Sequence, residues 1–488
     1  MKLNTFYMSA FLLAMCGADA MAQQRPNIVF ILADDMGYGD LTCYNADSKI
    51  NTPNMDRLAA DGQLYMDAHS SSSVSTPSRY SIITGRYSWR SSLKKGVLGG
   101  YSPALIEKDR PTVASMLKAN GYTTACIGKW HLGMGWGTTD GQQPAADGKN
   151  VDFKAPLKDS PVTRGFDYYF GTSASLDMPP YLLLENDKVL EQPDIFLDGR
   201  GTVHPYQTGR AGHGIEGRGP EYFLPVLTDK TVEKIGEYSK QKNPFFIYFA
   251  LTAPHNPEAP NKEFVGRSKA GRYGDFVLEV DHVVSRVVKA LKENGLYENT
   301  LIVVASDNGP ETSAYKRALQ YEHYSTAHLK GVKRDLWEGG HRVPFIVSWP
   351  KGVKKTGKVK TTVCLADFYA TAADIVNYKP EAKEAEDSYS FLPLMQGKVK
   401  TDRICTIHHS GKGRFAIRKG DWVLIETRTG DDNRGKGKAY YEKRGYELEQ
   451  NDGELFNLAA DPREFKNEYA DRPEVVKELR ALLDETRK

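Results

Sequence analysis

The sequence predicts an α/β protein: a large, mostly parallel sheet sandwiched by helices, followed by a smaller C-terminal α+β subdomain containing an antiparallel sheet. Three observations point there. Short apolar runs, each bounded by turns and each ending in polar residues, have the pattern of strands buried on both faces. Helical periodicities alternate with them, and strand, helix, strand order implies parallel pairing. At 488 residues the chain is too long for one small core, by a guide of about 100 to 200 residues per domain.

At the N-terminus Lys2 precedes an apolar stretch from Phe6 to Cys16, and Ala20-Met21-Ala22 places small residues around a cleavage point. Residues 1–22 therefore read as a signal peptide, 23–380 as the main unit and 381–488 as the C-terminal subdomain. Export to the periplasm or the exterior follows. Cys16 raises lipid anchoring, which Met15 before it disfavours. The other cysteines, Cys43, Cys126, Cys364 and Cys405, have the spacing of neither a zinc site nor a dense disulfide scaffold, although one bridge could form in an oxidising compartment.

The first strand is Asn27-Ile28-Val29-Phe30-Ile31-Leu32-Ala33, ending at Asp34 and Asp35. Thr52-Pro53 starts a helix that Gly62 stops, and Thr112 starts another that ends at Asn120-Gly121. Thr123 to Ile127 is a strand leading to Lys129 and His131, Phe245 to Phe249 one leading to His255, and Leu301 to Ala305 one leading to Asp307 and Asn308. Between Tyr273 and Gly295, Phe276, Val277, Val280, Val284, Val287 and Leu291 recur at helical spacing. Val343 to Trp349 is a fifth strand. Residues 141–218, rich in Gly, Pro and Asp, read as loops over the carboxyl ends of the strands, the place where ligands of parallel sheets collect. Phe415 to Ile425 reads as a hairpin turning at Gly420-Asp421, and Pro473 to Lys488 as an amphipathic helix.

Charged residues make up 26% and hydrophobic ones 40%, as in a soluble globular enzyme, which argues against disorder and against several membrane spans. A formal charge of +3 is nearly neutral for this size and gives no hint of the broad basic surface that nucleic-acid binding usually needs.

Asp34-Asp35 and Asp307-Asn308 are pairs of hard oxygen donors at strand ends, the type that calcium or magnesium prefers. Either pair alone is more often a turn or a helix cap. Between them lies Ser75-Thr76-Pro77-Ser78-Arg79, followed by Thr84-Gly85-Arg86. Gly128-Lys129-Trp130-His131-Leu132-Gly133, Ala253-Pro254-His255, Ser306-Asp307-Asn308-Gly309, and Lys333 before Glu338-Gly339-Gly340 complete a pattern over most of the chain.

In these motifs, their order and their approximate spacing, the sequence resembles the type I sulfatases of the alkaline phosphatase superfamily, and among them the serine-type bacterial glycan sulfatases. The resemblance implies that Ser75 is oxidised to formylglycine (3-oxoalanine) by a radical-based maturase, since a serine in place of the more common cysteine does not suit the aerobic route. The aldehyde hydrate carries two hydroxyls on one carbon. One attacks sulfur and the other later expels sulfate by re-forming the aldehyde. The resemblance further implies a calcium ion, with magnesium admitted by the same donors, held by Asp34, Asp35, Asp307 and Asn308 beside modified Ser75. It gives Arg79 the role of holding the modified residue, Lys129 and Lys333 that of clamping sulfate oxygens, His131 that of assisting breakdown of the covalent sulfate, and His255 that of general acid.

The expected substrate is a sulfated glycan, cut in exo fashion at a terminal galactose or N-acetylgalactosamine by a monomeric enzyme without stable membrane insertion. Asp177 and His204 are candidate contacts to sugar hydroxyls, and Tyr181 and Tyr206 candidate stacking residues. Two other readings compete. A metal-dependent phosphatase or phosphodiesterase would need further His and Asp ligands, and His204, His213, His323, His328 and His341 show no pairing with strand-end aspartates. A noncatalytic binder of sulfated glycans would keep Ser75 unmodified.

Overall fold

The structure, a computed structural model, describes residues 25–199, 209–446 and 451–488. The signal-peptide segment with Cys16, and the candidates His204 and Tyr206, lie outside the described residues.

Ten strands form the central sheet. Its middle is parallel, in the spatial order Thr300–Ser306, Asn27–Ala33, Phe245–Ala250, Thr123–Lys129 and Tyr168–Thr172. The runs are continuously apolar because successive side chains enter two different cores. Phe30, Cys126, Tyr248 and Val303 face one, and Val29, Ile127, Ile247 and Ile302 the other. Helices Ser75–Thr84, Val113–Ala119 and Phe368–Ile375 cover the first face, and Pro53–Asp61, Phe223–Tyr238 and Gly271–Glu293 the second.

Two expectations change in the structure. The fifth strand, Phe345–Ser348, runs antiparallel to Thr300–Ser306 and carries the sheet to its edge through Gln63–Tyr65 and Gly357–Val359. The stretch 141–218 is not all loop, since it supplies Tyr168–Thr172, which pairs in parallel with Thr123–Lys129. A Cβ on Gly128, opposite Gly171 in that register, would stand 1.8 Å from the Ala250 carbonyl oxygen. The bare backbone there lets the strands approach closely just before Lys129.

The C-terminal sheet is antiparallel, Thr406–His409, Phe415–Lys419, Trp422–Ile425 and Glu454–Asn457, with the expected turn after Lys419. Helix Pro473–Thr486 closes it with Val476, Leu479 and Leu483. Cys43, Cys126, Cys364 and Cys405 are free, and among the described residues no helix is long and apolar enough to cross a membrane.

Arg418 ties this sheet to the main unit. Its Nη1 donates to Asp67 Oδ1 at 2.6 Å, beside the strand Ala68–His69 that leads toward Ser75. Burial alone would raise the Asp67 pKa, but Arg418 and Arg342 hold it well below its ordinary 3.8. The carboxylate therefore contributes fully to stability above that pH and loses its contribution as pH falls through the lower folded value. Arg418→Met should cost up to roughly 3 to 5 kcal/mol, because it removes the nearer cation of a buried carboxylate and leaves Arg342 at 3.6 Å as the other. A lowered denaturant midpoint at neutral pH checks this, and an unchanged midpoint refutes it.

Candidate active site

Ser75 is the first residue of the helix Ser75–Thr84, every residue of which is buried. A helix this polar can be buried because its hydroxyls bond to nearby backbone: Ser78 Oγ donates to Ser72 O, Ser81 Oγ to Pro77 O and Thr84 Oγ1 to Tyr80 O. Pro77 is tolerated in the first turn, where backbone N–H groups have no helical partner. Those free N–H groups and the helix dipole put positive potential at Ser75, which suits an anionic ligand.

Most of the other residues arrive from strand ends, Arg79 from the same helix and Lys333 from the turn before the helix Glu338–His341. Ala33 and Ser306 are paired in register, so Asp34-Asp35 and Asp307-Asn308 leave neighbouring strands at the same level. Asp35 turns away with a φ of 64°, its N–H donating to Asp307 Oδ1 at 3.2 Å, while Asn308 Nδ2 donates to Asp35 Oδ1 at 2.7 Å. Ser75 Oγ lies 3.3 Å from Asp34 Oδ1 and 3.4 Å from Asn308 Oδ1. One helical turn beyond Ser75, Arg79 donates to Asp307 Oδ2 through Nε at 3.0 Å and Nη2 at 2.7 Å, with Nη2 also 3.3 Å from Asp34. Lys129 Nζ donates to Asp34 Oδ2 and Lys333 Nζ to Asp35 Oδ2, each at 2.7 Å.

Three buried carboxylates thus meet three buried cations. Burial and the nearby carboxylates of Asp34 and Asp35 push the Asp307 pKa up against the pull of Arg79 and Lys129. Asp34 is held well below its usual value, since Lys129, His255 and Arg79 outweigh its burial. Lys333, whose charge burial disfavours, is kept above its usual value by Asp35 and Glu311. Oxygen atoms from Asp34, Asp35, Asp307 and Asn308 fit a hard divalent cation: they are buried, predominantly anionic and gathered around Ser75.

Both histidines join the site. Burial, with Lys129 and Arg79 nearby, lowers the His131 pKa well below its usual value, so the ring is neutral. Its Nε2 donates to Leu98 O at 2.7 Å, which leaves Nδ1 an acceptor, buried and without a hydrogen-bond partner among the described residues. His255 Nδ1 donates to Asn256 O at 2.6 Å, and Nε2, 3.6 Å from Asp35, is the atom left for proton transfer.

Among the outer candidates, Asp177 is on the His255 side of the site: it accepts from Ser175 Oγ at 2.6 Å, lies 3.7 Å from Arg210, and has its pKa lowered, despite burial, chiefly by His255. Tyr181 cannot stack on a sugar. It is 1% exposed, with its hydroxyl donating to Arg210 O at 2.6 Å, because the segment after Asp177 folds into the core rather than over the opening. His323 pairs with Asp40, His341 faces His69, and His213 packs against Phe153 and Phe196, so none of these supplements the strand-end aspartates. Sequence reasoning missed Glu311, which pairs with Lys333 at 3.8 Å and grips Arg334, and also the Leu98 carbonyl. The first carries no motif and the second no side-chain signal.

The fold agrees with the comparisons. The Sulfatase family model matches residues 26–378, and the chain belongs to that family. It is 32% identical to an N-acetylgalactosamine-6-O-sulfatase of Bacteroides thetaiotaomicron, over 94% of this chain and 93% of that one. It is 31% identical to human arylsulfatase A, over 85% and 77%. A solved structure from a study of glycosaminoglycan metabolism by Bacteroides thetaiotaomicron superposes with a TM-score of 0.80 at 30% identity, covering 95% of this chain and 99% of that one. The protein is a sulfatase, a hydrolase of sulfate esters.

Proposed function

We propose that the chain is an exo-acting carbohydrate sulfatase that removes sulfate from a terminal galactose or N-acetylgalactosamine, using calcium and a formylglycine made from Ser75 by a radical-based maturase. The observation that carries this reading is the convergence of Ser75 Oγ on Asp34 and Asn308 at 3.3 and 3.4 Å, with Arg79, Lys129 and Lys333 around it. The glycan class is supported by the similarity to the N-acetylgalactosamine-6-O-sulfatase and to a structure tied to glycosaminoglycan metabolism. The leader-like segment 1–22 supports export to the periplasm or the exterior.

Asp34, Asp35, Asp307 and Asn308 would hold the calcium ion, which supplies Lewis acidity toward sulfate oxygens when bound. Lys129 and Lys333 would exchange their carboxylate partners for sulfate oxygens, fixed charges that need no rearrangement as negative charge builds. Arg79 braces Asp307 and Asp34 against the turn that carries Ser75. Neutral His131 offers Nδ1 as an acceptor for a hydroxyl proton, and His255 Nε2 is the donor to the leaving oxygen. Asp177, beside His255, is the candidate acceptor for a sugar hydroxyl. Release of inorganic sulfate by matured enzyme from a panel of 4- and 6-sulfated galactose and N-acetylgalactosamine tests the substrate, and turnover confined to aryl sulfates refutes the sugar assignment.

His255→Ala should slow sugar sulfates by roughly 100-fold or more and aryl sulfates with acidic phenols far less, since a phenolate needs little protonation as it departs. The ratio of the two rates is insensitive to partial misfolding. Equal losses on both substrates contradict the role of proton donor.

A further inference from the structure

The C-terminal sheet contributes more than a lid to the main unit: its first hairpin and the loop after its third strand are bonded to the backbone on both sides of the reacting centre. Ser73 N–H donates to His409 O at 3.2 Å, Gly411 lies against Val74, and Arg334 N–H donates to Ser73 O at 2.8 Å. On the other side, Asn433 Nδ2 donates to Lys333 O at 2.8 Å and Asp432 N–H to Asp335 Oδ1 at 2.9 Å. The turn at 410–414 and the loop at 431–433 therefore adjoin Ser75 through Val74 and adjoin Lys333 directly.

In that junction the Asp432 carboxylate is 1% exposed, and neither oxygen accepts a hydrogen bond among the described residues. What faces it is a pair of cations: Arg414 Nη1 at 2.9 Å and Lys412 Nζ at 3.4 Å from Oδ1. A buried carboxylate in this state is costly by itself, and cations beside it offset that cost. One carboxylate cannot match two cations. Lys412 and Arg414 remain 35% and 36% exposed, with N–H groups left for solvent or a ligand. Arg334, 38% exposed and fixed by two bonds to Glu311 at 2.6 and 2.7 Å, adds a guanidinium on the stretch next to Lys333. The neighbouring Asp431 is engaged by N–H groups of its own loop, from Asn433 and Gly435.

We propose that Lys412 and Arg414, oriented by Asp432, form an anion subsite beside the reacting centre that binds an acidic group on the sugar adjoining the sulfated one. This rests on the glycan sulfatase reading above. The class of substrate it selects is a polyanionic glycan, in which a uronate carboxylate accompanies the scissile sulfate, over a neutral glycan with the same ester. Neither cation touches the groups assigned to sulfur chemistry, so the subsite acts on affinity for the longer chain and not on the bond-breaking step.

The probes are chondroitin 6-sulfate oligosaccharides, the same oligosaccharides after carboxyl reduction to alcohols, and the 6-sulfated monosaccharide. Calorimetric binding to unmatured full-length protein should be about tenfold tighter for the carboxylate form than for the reduced form, with the preference fading at high salt. Lys412→Gln with Arg414→Gln should abolish the preference, while the matured double variant keeps the wild-type rate on the monosaccharide. Equal binding of both oligosaccharides by the wild type, or a preference that survives the double substitution, overturns the subsite. Circular dichroism identifies a misfolded double variant, in which case Arg414→Lys, which retains charge, should preserve the preference and Arg414→Gln alone should halve it or more. If matured wild type cleaves no sulfate ester yet binds the carboxylate form preferentially, the glycan sulfatase reading fails and the subsite stands.

Discussion

Asp307→Asn is expected to lower sulfate-ester turnover more than about a thousandfold while leaving the protein folded. Asp307 is both a proposed cation ligand and the partner of two Arg79 donors, at 3.0 and 2.7 Å. The amide keeps the shape and an oxygen for the Asp35 N–H but removes the charge and turns an NH2 donor toward the Arg79 donors. Loss of a single preorganised electrostatic partner of a reacting group costs roughly 10²- to 10³-fold elsewhere, and here one substitution weakens both the cation site and the brace on Arg79. Asp307→Ala would go further, removing the acceptor of two Arg79 donors and leaving Asp34 as the remaining carboxylate beside that buried guanidinium, at a cost of up to roughly 3 to 5 kcal/mol, so asparagine is the cleaner test. Calcium binding followed by calorimetry should weaken in parallel, and a strong chelator should reproduce the loss in wild type. Full turnover by Asp307→Asn, or by chelated enzyme, contradicts the assignment.

Ser75→Ala should remove activity altogether, a loss on the order of a millionfold where a covalent nucleophile disappears. No other hydroxyl takes its place. Ser72 Oγ donates to His409 O, Ser78 Oγ to Ser72 O, and Ser71 Oγ to Ser81 Oγ, which commits these three to structure, while Ser73 Oγ, buried without a hydrogen-bond partner among the described residues, lacks Pro at plus two and Arg at plus four. Alanine keeps Cβ and lacks only the oxygen, and the Ser75 hydroxyl makes only long contacts of 3.3 and 3.4 Å, so the fold should be unaffected. Ser75→Cys should be active when produced with a cysteine-type maturase, because both precursors end as the same aldehyde and Thr76-Pro77-Ser78-Arg79 is retained. Activity of Ser75→Ala, at any level tracking protein concentration through purification, contradicts the role.

Four of the five central parallel strands are legible because each is an unbroken apolar run closing on a polar residue. Tyr168–Thr172 is not, since two tyrosines and Gly171 interrupt the apolar pattern and its neighbours are turn-rich. Helix Phe223–Tyr238 escapes for a related reason: Thr228 and Thr231 lie in its buried stripe, their hydroxyls satisfied by Leu224 O and Leu227 O, so the apolar period looks weak in sequence. The site divides the same way. Asp34, Asp35, Ser75, Arg79, Lys129, His131, His255, Asp307, Asn308 and Lys333 sit in local motifs, Lys333 in a turn and the others after strand ends or in the first turns of one helix, and the structure brings all ten together. Asp432, Glu311 and the Leu98 carbonyl are brought in by contacts between distant segments, which no local pattern encodes. Tyr181 shows the converse error, an aromatic in a loop-like segment whose hydroxyl finds a backbone partner and so goes inside.

The central claim is that turnover depends on oxidation of Ser75, and the most direct test is the mass of the tryptic peptide ending at Arg79, measured on the same preparations whose sulfate release is assayed. Conversion of serine to formylglycine removes two hydrogens, about 2 Da, with water added back in the hydrate. Across preparations made with and without a serine-type maturase, the rate of sulfate release should rise in proportion to the converted fraction and extrapolate to zero at no conversion. Protein whose Ser75 peptide is wholly unmodified, yet which releases sulfate at the rate of converted protein, would contradict the account.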